Sequence, residues 1–224
     1  MRLRHACLSD RGQVRMRNED RCLCDERLGV YGVADGVGGL PGGDEAAQIA
    51  HDCILHEIGK VPPGTAPDLR RIVESANRAV EARGRAVNPG EGIATTLTFG
   101  VFRGRSLNLA HVGDSRCYLA RNGAFRRLTA DHAEGRALSR CLGHPISSAP
   151  DLAELPVWPG DRYLFCTDGL TRSASDEEIA AIVEQPVPAE RILRELTDLS
   201  LRRGGLDNVS AVLVYPETGS LAPR

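Results

Sequence analysis

The stretch Val30-Tyr31-Gly32-Val33-Ala34-Asp35-Gly36 places an acidic residue directly after a short apolar run. The run has the length and composition of a buried β-strand, and Gly36 begins a glycine-rich segment in which the backbone can turn sharply and approach a ligand closely. The stretch therefore predicts a strand that delivers Asp35 to its end.

The same arrangement occurs twice more along the chain. Asp168-Gly169 follows the apolar run 163–167, and Asp207-Asn208 precedes the run 209–215. Taken singly, each Asp-Gly or Asp-Asn pair is compatible with an ordinary turn. Together they predict that several carboxylates meet at one place, where two charges about 4 Å apart repel by roughly 4 kcal/mol at an effective dielectric of 20.

A hard divalent cation would relieve that repulsion. Oxygen ligands with several carboxylates favour Mg²⁺ or Mn²⁺. Zinc fits less well, because no histidine pair stands at ligand spacing: His51 and His56 lie five residues apart, and His111, His132 and His144 have no matching partner. The acidic pattern thus predicts a magnesium or manganese site.

Composition narrows the class of protein. With 224 residues and no Pro/Gly/Ser-rich linker, we expect a single domain over residues 1–216 and a loose tail over 217–224. A net charge of −2 without a basic stripe argues against nucleic-acid binding, and no apolar run is long enough to span a membrane. Seven cysteines without a C-x-x-C pair fit reduced thiols in a cytoplasmic protein.

Hydrophobic periodicity predicts an α+β layered fold, since strands occur in consecutive antiparallel runs and helices in pairs. We expect helices at 44–58, from 68, at 176–184 and at 188–203, and a short polar helical stretch at 131–142. The expected strands are 3–9, 21–26, 28–34, 94–102, 105–112, 115–121, 152–157, 162–167 and 209–215.

Seven motifs in a fixed order carry a family resemblance that extends from about Arg4 to Tyr215. They are Arg15-x-x-x-Glu19-Asp20, Ala34-Asp35-Gly36-Val-Gly-Gly39, Ala94-Thr95-Thr96-Leu97, Ala110-His-Val-Gly-Asp114-Ser-Arg116, Leu128-Thr-Ala-Asp-His132, Pro159-Gly-Asp-Arg-Tyr-Leu-Phe-Cys-Thr-Asp168-Gly169 and Asp207-Asn208-Val209. This set resembles the metal-dependent serine/threonine protein phosphatases (the PPM, or type 2C, family) in their free-standing bacterial form. The resemblance implies a four-layer α-β-β-α sandwich, two antiparallel sheets flanked by helix pairs, with metals at one end.

The resemblance also implies roles for individual residues. Asp35 corresponds to the carboxylate that bridges two metals, and Arg15 to the phosphate-binding arginine, with Arg17 as the alternative. Asp20 corresponds to the acid that orients the attacking water. The remaining metal ligands implied are Asp168 and Asp207 for the first metal, Glu19 and the Gly36 carbonyl for the second, and Asp114 with Asp168 for a third, weaker metal.

The implied activity is hydrolysis of phosphoserine and phosphothreonine by a water that two Mn²⁺ or Mg²⁺ ions activate. We expect a cytoplasmic monomer whose substrates are phosphoproteins and whose partner is a bacterial Ser/Thr kinase. Two rivals stay open: a non-catalytic pseudophosphatase that binds phosphoproteins on the same fold, and a dimetal hydrolase of nucleotides or small phosphates.

Departures from the family pattern concern mainly the cleft. Val37 stands where some members have a proposed general-acid histidine, so we expect water to protonate the leaving group. Asp131-His132 is followed almost at once by the stretch 137–143, which predicts that the family's helical flap is largely deleted and leaves the third metal site and the substrate range open. Leu40 and Asp44 are smaller differences that we expect to be tolerated.

Overall fold

The computed structural model describes residues 1–38, 42–135 and 137–217. Gly39, Leu40 and the predicted loose tail from residue 218 onward lie outside the described residues. In chain order the strands are β1 (Arg2–Asp10), β2 (Asp20–Asp25), β3 (Val30–Asp35), β4 (Leu97–Arg103), β5 (Ser106–Val112), β6 (Arg116–Arg121), β7 (Ala124–Arg127), β8 (Ala133–Glu134), β9 (Ala137–Leu138), β10 (Asp151–Pro156), β11 (Arg162–Cys166) and β12 (Val209–Glu217). The helices are α1 (Gly43–Gly59), α2 (Leu69–Val87), α3 (Asp168–Thr171), α4 (Asp176–Val183) and α5 (Ala189–Arg202).

Ten of these strands form two five-stranded sheets. One sheet has the order β1-β12-β11-β6-β7, the other has the order β10-β5-β4-β3-β2, and every neighbouring pair is antiparallel. The strands β8 and β9 pair only with each other. The predicted α+β class with two antiparallel sheets is confirmed.

Strand β3 shows why the sheets lie in the middle of the fold. Tyr31 and Val33 pack into the core between the two sheets, whereas Val30 and Ala34 pack into the core beneath α1 and α2. Successive side chains of a strand point to opposite faces, so a strand covered on both faces must be apolar throughout. This explains why the run from Val30 to Ala34 is apolar throughout.

The helices cover the outer faces of the two sheets. Helices α1 and α2 bury apolar stripes against the sheet of β3, and α4 and α5 bury theirs against the sheet of β12. The result is the four-layer order helices, sheet, sheet, helices. No helix among the described residues is long and apolar enough to cross a bilayer.

The prediction of a helical stretch at 131–142 was wrong. The backbone there is bound to distant partners: His132 N donates to Gly113 O (2.7 Å), and Thr95 and Leu142 exchange two hydrogen bonds (2.9 and 3.1 Å). These pairings leave room only for the β8–β9 hairpin, with Arg136 outside the described residues. Strand β7 and the short helix α3 are two elements that the sequence patterns did not predict.

Candidate metal centre

Five predicted acids converge at one end of the sandwich. Asp20 and Asp35 lie opposite each other in the β2–β3 ladder, the first at the start of its strand and the second at the end of its own. Asp168 opens α3 immediately after β11, Asp114 lies in the β5–β6 connection, and Asp207 precedes β12. Four of the five, all but Asp20, line a cleft of about 320 Å³.

Asp35 is fixed through its backbone. Its amide N donates to Thr96 Oγ1 (3.1 Å), and its carbonyl oxygen accepts hydrogen bonds from Thr96 N (2.8 Å) and Thr95 Oγ1 (2.9 Å). Because the main chain makes all these contacts, the carboxylate itself remains directed into the acidic cluster. This is the physical role of the Ala94–Leu97 motif.

Asp20 lies deeper than its neighbours, at 3% exposure. Its Oδ2 accepts a hydrogen bond from Thr167 Oγ1 at 2.9 Å. Its Oδ1 is buried and accepts no hydrogen bond from the residues that the structure describes. A buried carboxylate oxygen without a donor is costly, and it marks a place where a cation or an ordered water would be favourable.

The carboxylates raise one another's pKa. Burial raises the pKa of Asp20 to about 6 and that of Asp168 to about 7, the latter with a further contribution from Asp114. The pKa of Asp35 lies well above its usual value because of burial and the charges of its acidic neighbours. Burial also raises the pKa of Asp114. Raised pKa values are expected where several buried carboxylates face one another, and a nearby cation would favour their charged forms.

Two arginines contact the cluster from the cleft. Arg15 Nη2 lies 2.9 Å from Asp207 Oδ2. Arg172 Nη2 lies 2.5 Å from Asp168 Oδ2 and 3.4 Å from Asp114 Oδ2, and its Nη1 lies 3.7 Å from Asp207 Oδ2. Within residues 1–38, 42–135 and 137–217, no three His, Cys, Asp or Glu side chains stand as a set in metal-binding geometry.

Glu19 and Gly36 lie together at the start of α1. The amide of Gly36 donates to Glu19 O (3.2 Å), and a Cβ on Gly43 would lie 3.3 Å from the Glu19 carboxyl carbon. Burial raises the pKa of Glu19. The close approach of Gly36 and Gly43 leaves no room for a side chain on Gly36, so only glycine fits this turn.

The two candidate phosphate ligands differ in position. Arg15 lines the cleft, with its side chain 37% exposed. Arg17 is 75% exposed and lies 3.8 Å from Asp44, outside the cleft lining. The geometry therefore favours Arg15 over Arg17 as the phosphate-binding residue.

Asp168 and Asp207 are brought together by a close contact between α3 and the start of β12. A Cβ at Gly169 would overlap the carbonyl oxygen of Asn208. The side chain of Asn208 ties this corner to the N-terminal loop, since its Oδ1 accepts from Glu19 N (2.9 Å) and its Nδ2 donates to Arg17 O (2.9 Å). Asn208 thus connects the Glu19 side of the centre to the Asp207 side.

The donor set fits a pair of hard divalent cations. The candidate donor atoms are all oxygens, the carboxylates raise one another's pKa, and Asp20 Oδ1 is a buried oxygen without a donor among the described residues. His111 and His132 do not join them, because their ring centroids lie 4.5 Å apart with the planes tilted by 40°, while His111 Nε2 contacts Ala130 O and His132 Nε2 contacts Asp151. Their role is structural.

Sequence reasoning missed Arg172. The signal was present, because Arg172 stands four residues after Asp168, and residues at i and i+4 share one face of a helix. Because α3 was not predicted, the four-residue spacing gave no reason to expect a contact between Asp168 and Arg172. Ala137 and Leu138 of strand β9, which also line the cleft, were missed because the stretch was expected to be helical.

Comparisons with known proteins agree with this architecture. The serine/threonine protein phosphatase PstP of Mycobacterium tuberculosis is 36% identical over 233 residues, which cover 94% of this chain and 44% of PstP. The chain thus spans less than half the length of that relative. Serine/threonine phosphatase Stp of Listeria monocytogenes is 28% identical, with 92% of this chain and 93% of Stp covered.

A solved structure is similar over nearly the whole chain. The crystal structure of the PstP catalytic domain in complex with two manganese ions superposes with a TM-score of 0.86 at 36% identity, covering 96% of this chain and 99% of that domain. The family model described as Protein phosphatase 2C matches residues 11–211. The chain therefore belongs to the protein phosphatase 2C family.

Proposed function

We propose that this chain is a Mn²⁺- or Mg²⁺-dependent phosphatase that removes phosphate from serine and threonine residues of proteins. One observation carries the proposal: five acids from distant sequence positions converge at one end of the sandwich, four of them line one cleft, and they raise one another's pKa. The names of the relatives PstP and Stp, both serine/threonine phosphatases, support the same activity.

The cluster divides into two ligand sets. We assign Asp35, Asp168 and Asp207 to one cation, and Asp35, Glu19 and the Gly36 carbonyl to the other. A pair of such ions would lower the pKa of a water and neutralise charge on the phosphoryl oxygens. The two manganese ions in the PstP catalytic domain support a pair of cations.

The chain's own side chains would orient the reactants. The guanidinium of Arg15 at the cleft would donate two hydrogen bonds to the phosphate. Asp20 Oδ1, buried and without a donor among the described residues, would accept a hydrogen bond from the attacking water. Thr167 holds the other oxygen of Asp20 and so fixes the direction of that acceptor.

An open cleft supports a broad range of phosphoprotein substrates. In the described part of the chain, the β8–β9 hairpin, with two residues in each strand, stands where the family's flap is expected. The alignment with PstP is 233 residues long but uses 94% of the 224 residues here, so part of the matched region of PstP has no counterpart in this chain. Insertion of a flap after His132 is expected to narrow the set of phosphopeptides cleaved, and an unchanged set would contradict this assignment.

The setting of the enzyme is also a proposal. We infer a single domain over residues 1–216, a cytoplasmic monomer, and a bacterial Ser/Thr kinase whose products it dephosphorylates. The serine/threonine phosphatase names of the relatives support a role opposite such a kinase. Light scattering coupled to gel filtration would test the monomer, and a dimer mass would overturn it.

The test of the activity is hydrolysis of a phosphothreonine peptide by metal-free protein titrated with Mn²⁺. Turnover should depend on Mn²⁺, and Asp35→Asn should abolish it, because the bridging charge is lost. Asp25→Asn is the matched control. It makes the same change at the other end of the β2–β3 ladder, away from the acids, and it should keep full activity.

Folded protein without turnover at any Mn²⁺ or Mg²⁺ concentration would overturn the proposal and favour the pseudophosphatase. Turnover of nucleotides but not of phosphopeptides would favour the small-phosphate hydrolase. Equal losses in Asp35→Asn and Asp25→Asn would show that the change acts on folding rather than on the metal centre.

A further inference from the structure

The guanidinium of Arg172 lies between the two acids to which the family resemblance assigns a third metal. Its Nη2 is 2.5 Å from Asp168 Oδ2 and 3.4 Å from Asp114 Oδ2. Both carboxylates are largely buried, with side chains 11% and 14% exposed, whereas that of Arg172 is 49% exposed. The arginine therefore reaches from solvent into an acidic pair that the fold has already buried.

The local backbone fixes this position. Arg172 caps α3, and its amide N donates to Asp168 O at 2.8 Å, as in a regular helical turn. Side chains four residues apart lie on the same face of a helix, so the guanidinium of Arg172 lies over the Asp168 carboxylate. The contact follows from the first turn of α3 and does not depend on a flexible loop.

Other cations near Asp114 have different partners. Arg116 lies two residues away in sequence, but its side chain binds Asp131 through two nitrogens, at 2.7 and 3.0 Å, and Asp176 at 3.2 Å. Arg15 binds Asp207. Among the described residues, the cation that neutralises the Asp114–Asp168 pair is Arg172.

We propose that Arg172 takes the place of the third metal, so that this chain binds two divalent ions and not three. A metal between Asp114 and Asp168 would have to displace the guanidinium from both carboxylates, and its charge would repel the guanidinium. The contacts of Arg172 to Asp168 use Oδ2, which leaves Oδ1 of that residue for the two-metal centre. Asp114 is then a partner of Arg172 and not a metal ligand.

This inference rests on the proposed two-metal centre but is tested without turnover. The measurement is Mn²⁺ bound per chain, by equilibrium dialysis and by isothermal titration calorimetry. The wild type should bind two ions, and Asp114→Asn should leave that number unchanged. Arg172→Gln, which keeps the size of the side chain but removes its charge, should bind a third ion that the double change R172Q/D114N removes.

Matched variants separate charge from packing. Arg172→Lys keeps the positive charge and should stay at two ions. Arg203→Gln should also stay at two, because Arg203 is an arginine of similar exposure (41%) that pairs with Glu178 on α4, away from the acids. If R172Q folds poorly, R172M is a second uncharged variant. The comparison of the number of Mn²⁺ ions bound by wild type and by D114N requires neither of these variants.

Two results would overturn the inference: a third Mn²⁺ in the wild type that D114N removes, or a count of two in folded R172Q and R172M. Both leave the phosphatase proposal intact. A wild type that binds no Mn²⁺ at all would overturn both, so the two failures are distinguishable.

Discussion

Arg15 and Arg17 lie two residues apart in one loop, yet only Arg15 lines the cleft. We expect Arg15→Ala to lower kcat/KM about tenfold to hundredfold, because a hydrogen bond to a charged group contributes about 1.5–3 kcal/mol. Arg17→Ala is the matched control and should stay within about twofold of wild type. Steady-state kinetics on a phosphopeptide check both values.

Arg15 also contacts Asp207, so its removal could act through the metal centre. Mn²⁺ affinity separates the two effects: it should be unchanged or tighter in Arg15→Ala, since a competing cation is gone. A larger loss of kcat/KM in Arg17→Ala than in Arg15→Ala would identify the other arginine as the phosphate ligand.

His111 makes the stability of the protein depend on pH. Burial and the neighbouring His132 lower its pKa from 6.5 to about 4, while Nε2 donates to Ala130 O at 2.8 Å. The unfolded chain therefore binds this proton more readily than the folded one. The stability from neutral His111 is present above pH 6.5 and is lost as pH falls toward 4.

Between pH 7.5 and pH 5 the wild type should accordingly lose about 2 kcal/mol of unfolding free energy more than His111→Gln does. Urea denaturation at the two pH values measures this difference. Equal losses in both proteins would mean that His111 titrates normally in the fold.

At the scale of elements, the contact of α3 with the start of β12 decides whether Asp168 and Asp207 can meet. A methyl group at Gly169 would overlap Asn208 O. Gly169→Ala should therefore separate the two elements and weaken Mn²⁺ binding at least tenfold, because a 1.4 kcal/mol loss of ligand contact already has that effect.

Gly59→Ala is the control for that change. A Cβ at Gly59 meets nothing within 4 Å, and the residue ends α1, so the substitution should leave Mn²⁺ affinity unchanged and stability unchanged or slightly raised. Calorimetric titration of both variants is the measurement. Wild-type affinity in Gly169→Ala would show that the α3–β12 contact does not position the ligands.

Elements were predictable from sequence where their pattern is local. The apolar run of β3 and the helical spacing of α1, α2, α4 and α5 gave their positions within a few residues. The 131–142 stretch was not predictable, because its backbone pairs with Gly113 and Thr95, far away in sequence. The four-residue helix α3 is too short for periodicity to indicate it.

The same reasoning applies to the site. The acids at strand ends could be predicted, because a charged residue directly after an apolar run is easily recognised in a single sequence. Arg172 did not, because one arginine among 28 Lys and Arg residues has no local signature until α3 is known. The acidic residues that can bind a metal can be inferred from the sequence. The arginine that contacts the same carboxylates can be identified only once the fold is known.

For the whole molecule, cation binding should stabilise the fold. The acids come from both sheets, so ions that relieve their repulsion hold the two halves of the sandwich together. At a Mn²⁺ concentration about 100 times the dissociation constant, the linkage amounts to about 2.7 kcal/mol, or roughly 5–10 °C in Tm for a chain of this size.

Differential scanning calorimetry with and without Mn²⁺ measures that shift. Asp35→Asn should lose it, whereas Asp25→Asn, at the far end of β2, should retain it. An equal shift in both variants would place the stabilising ion outside the acidic cluster.

The position of β12 has a consequence for biosynthesis. This last strand lies inside its sheet, between β1 and β11, and pairs with β1 from Arg2 to Asp10. While the chain emerges from the ribosome, β1 therefore has no partner until β12 has been made. The edges of β1 and β11 that β12 will cover stay unpaired, and prone to aggregation, until that point. The nascent chain cannot complete this sheet, or bring Asp207 to Asp35, before β12 has been synthesised.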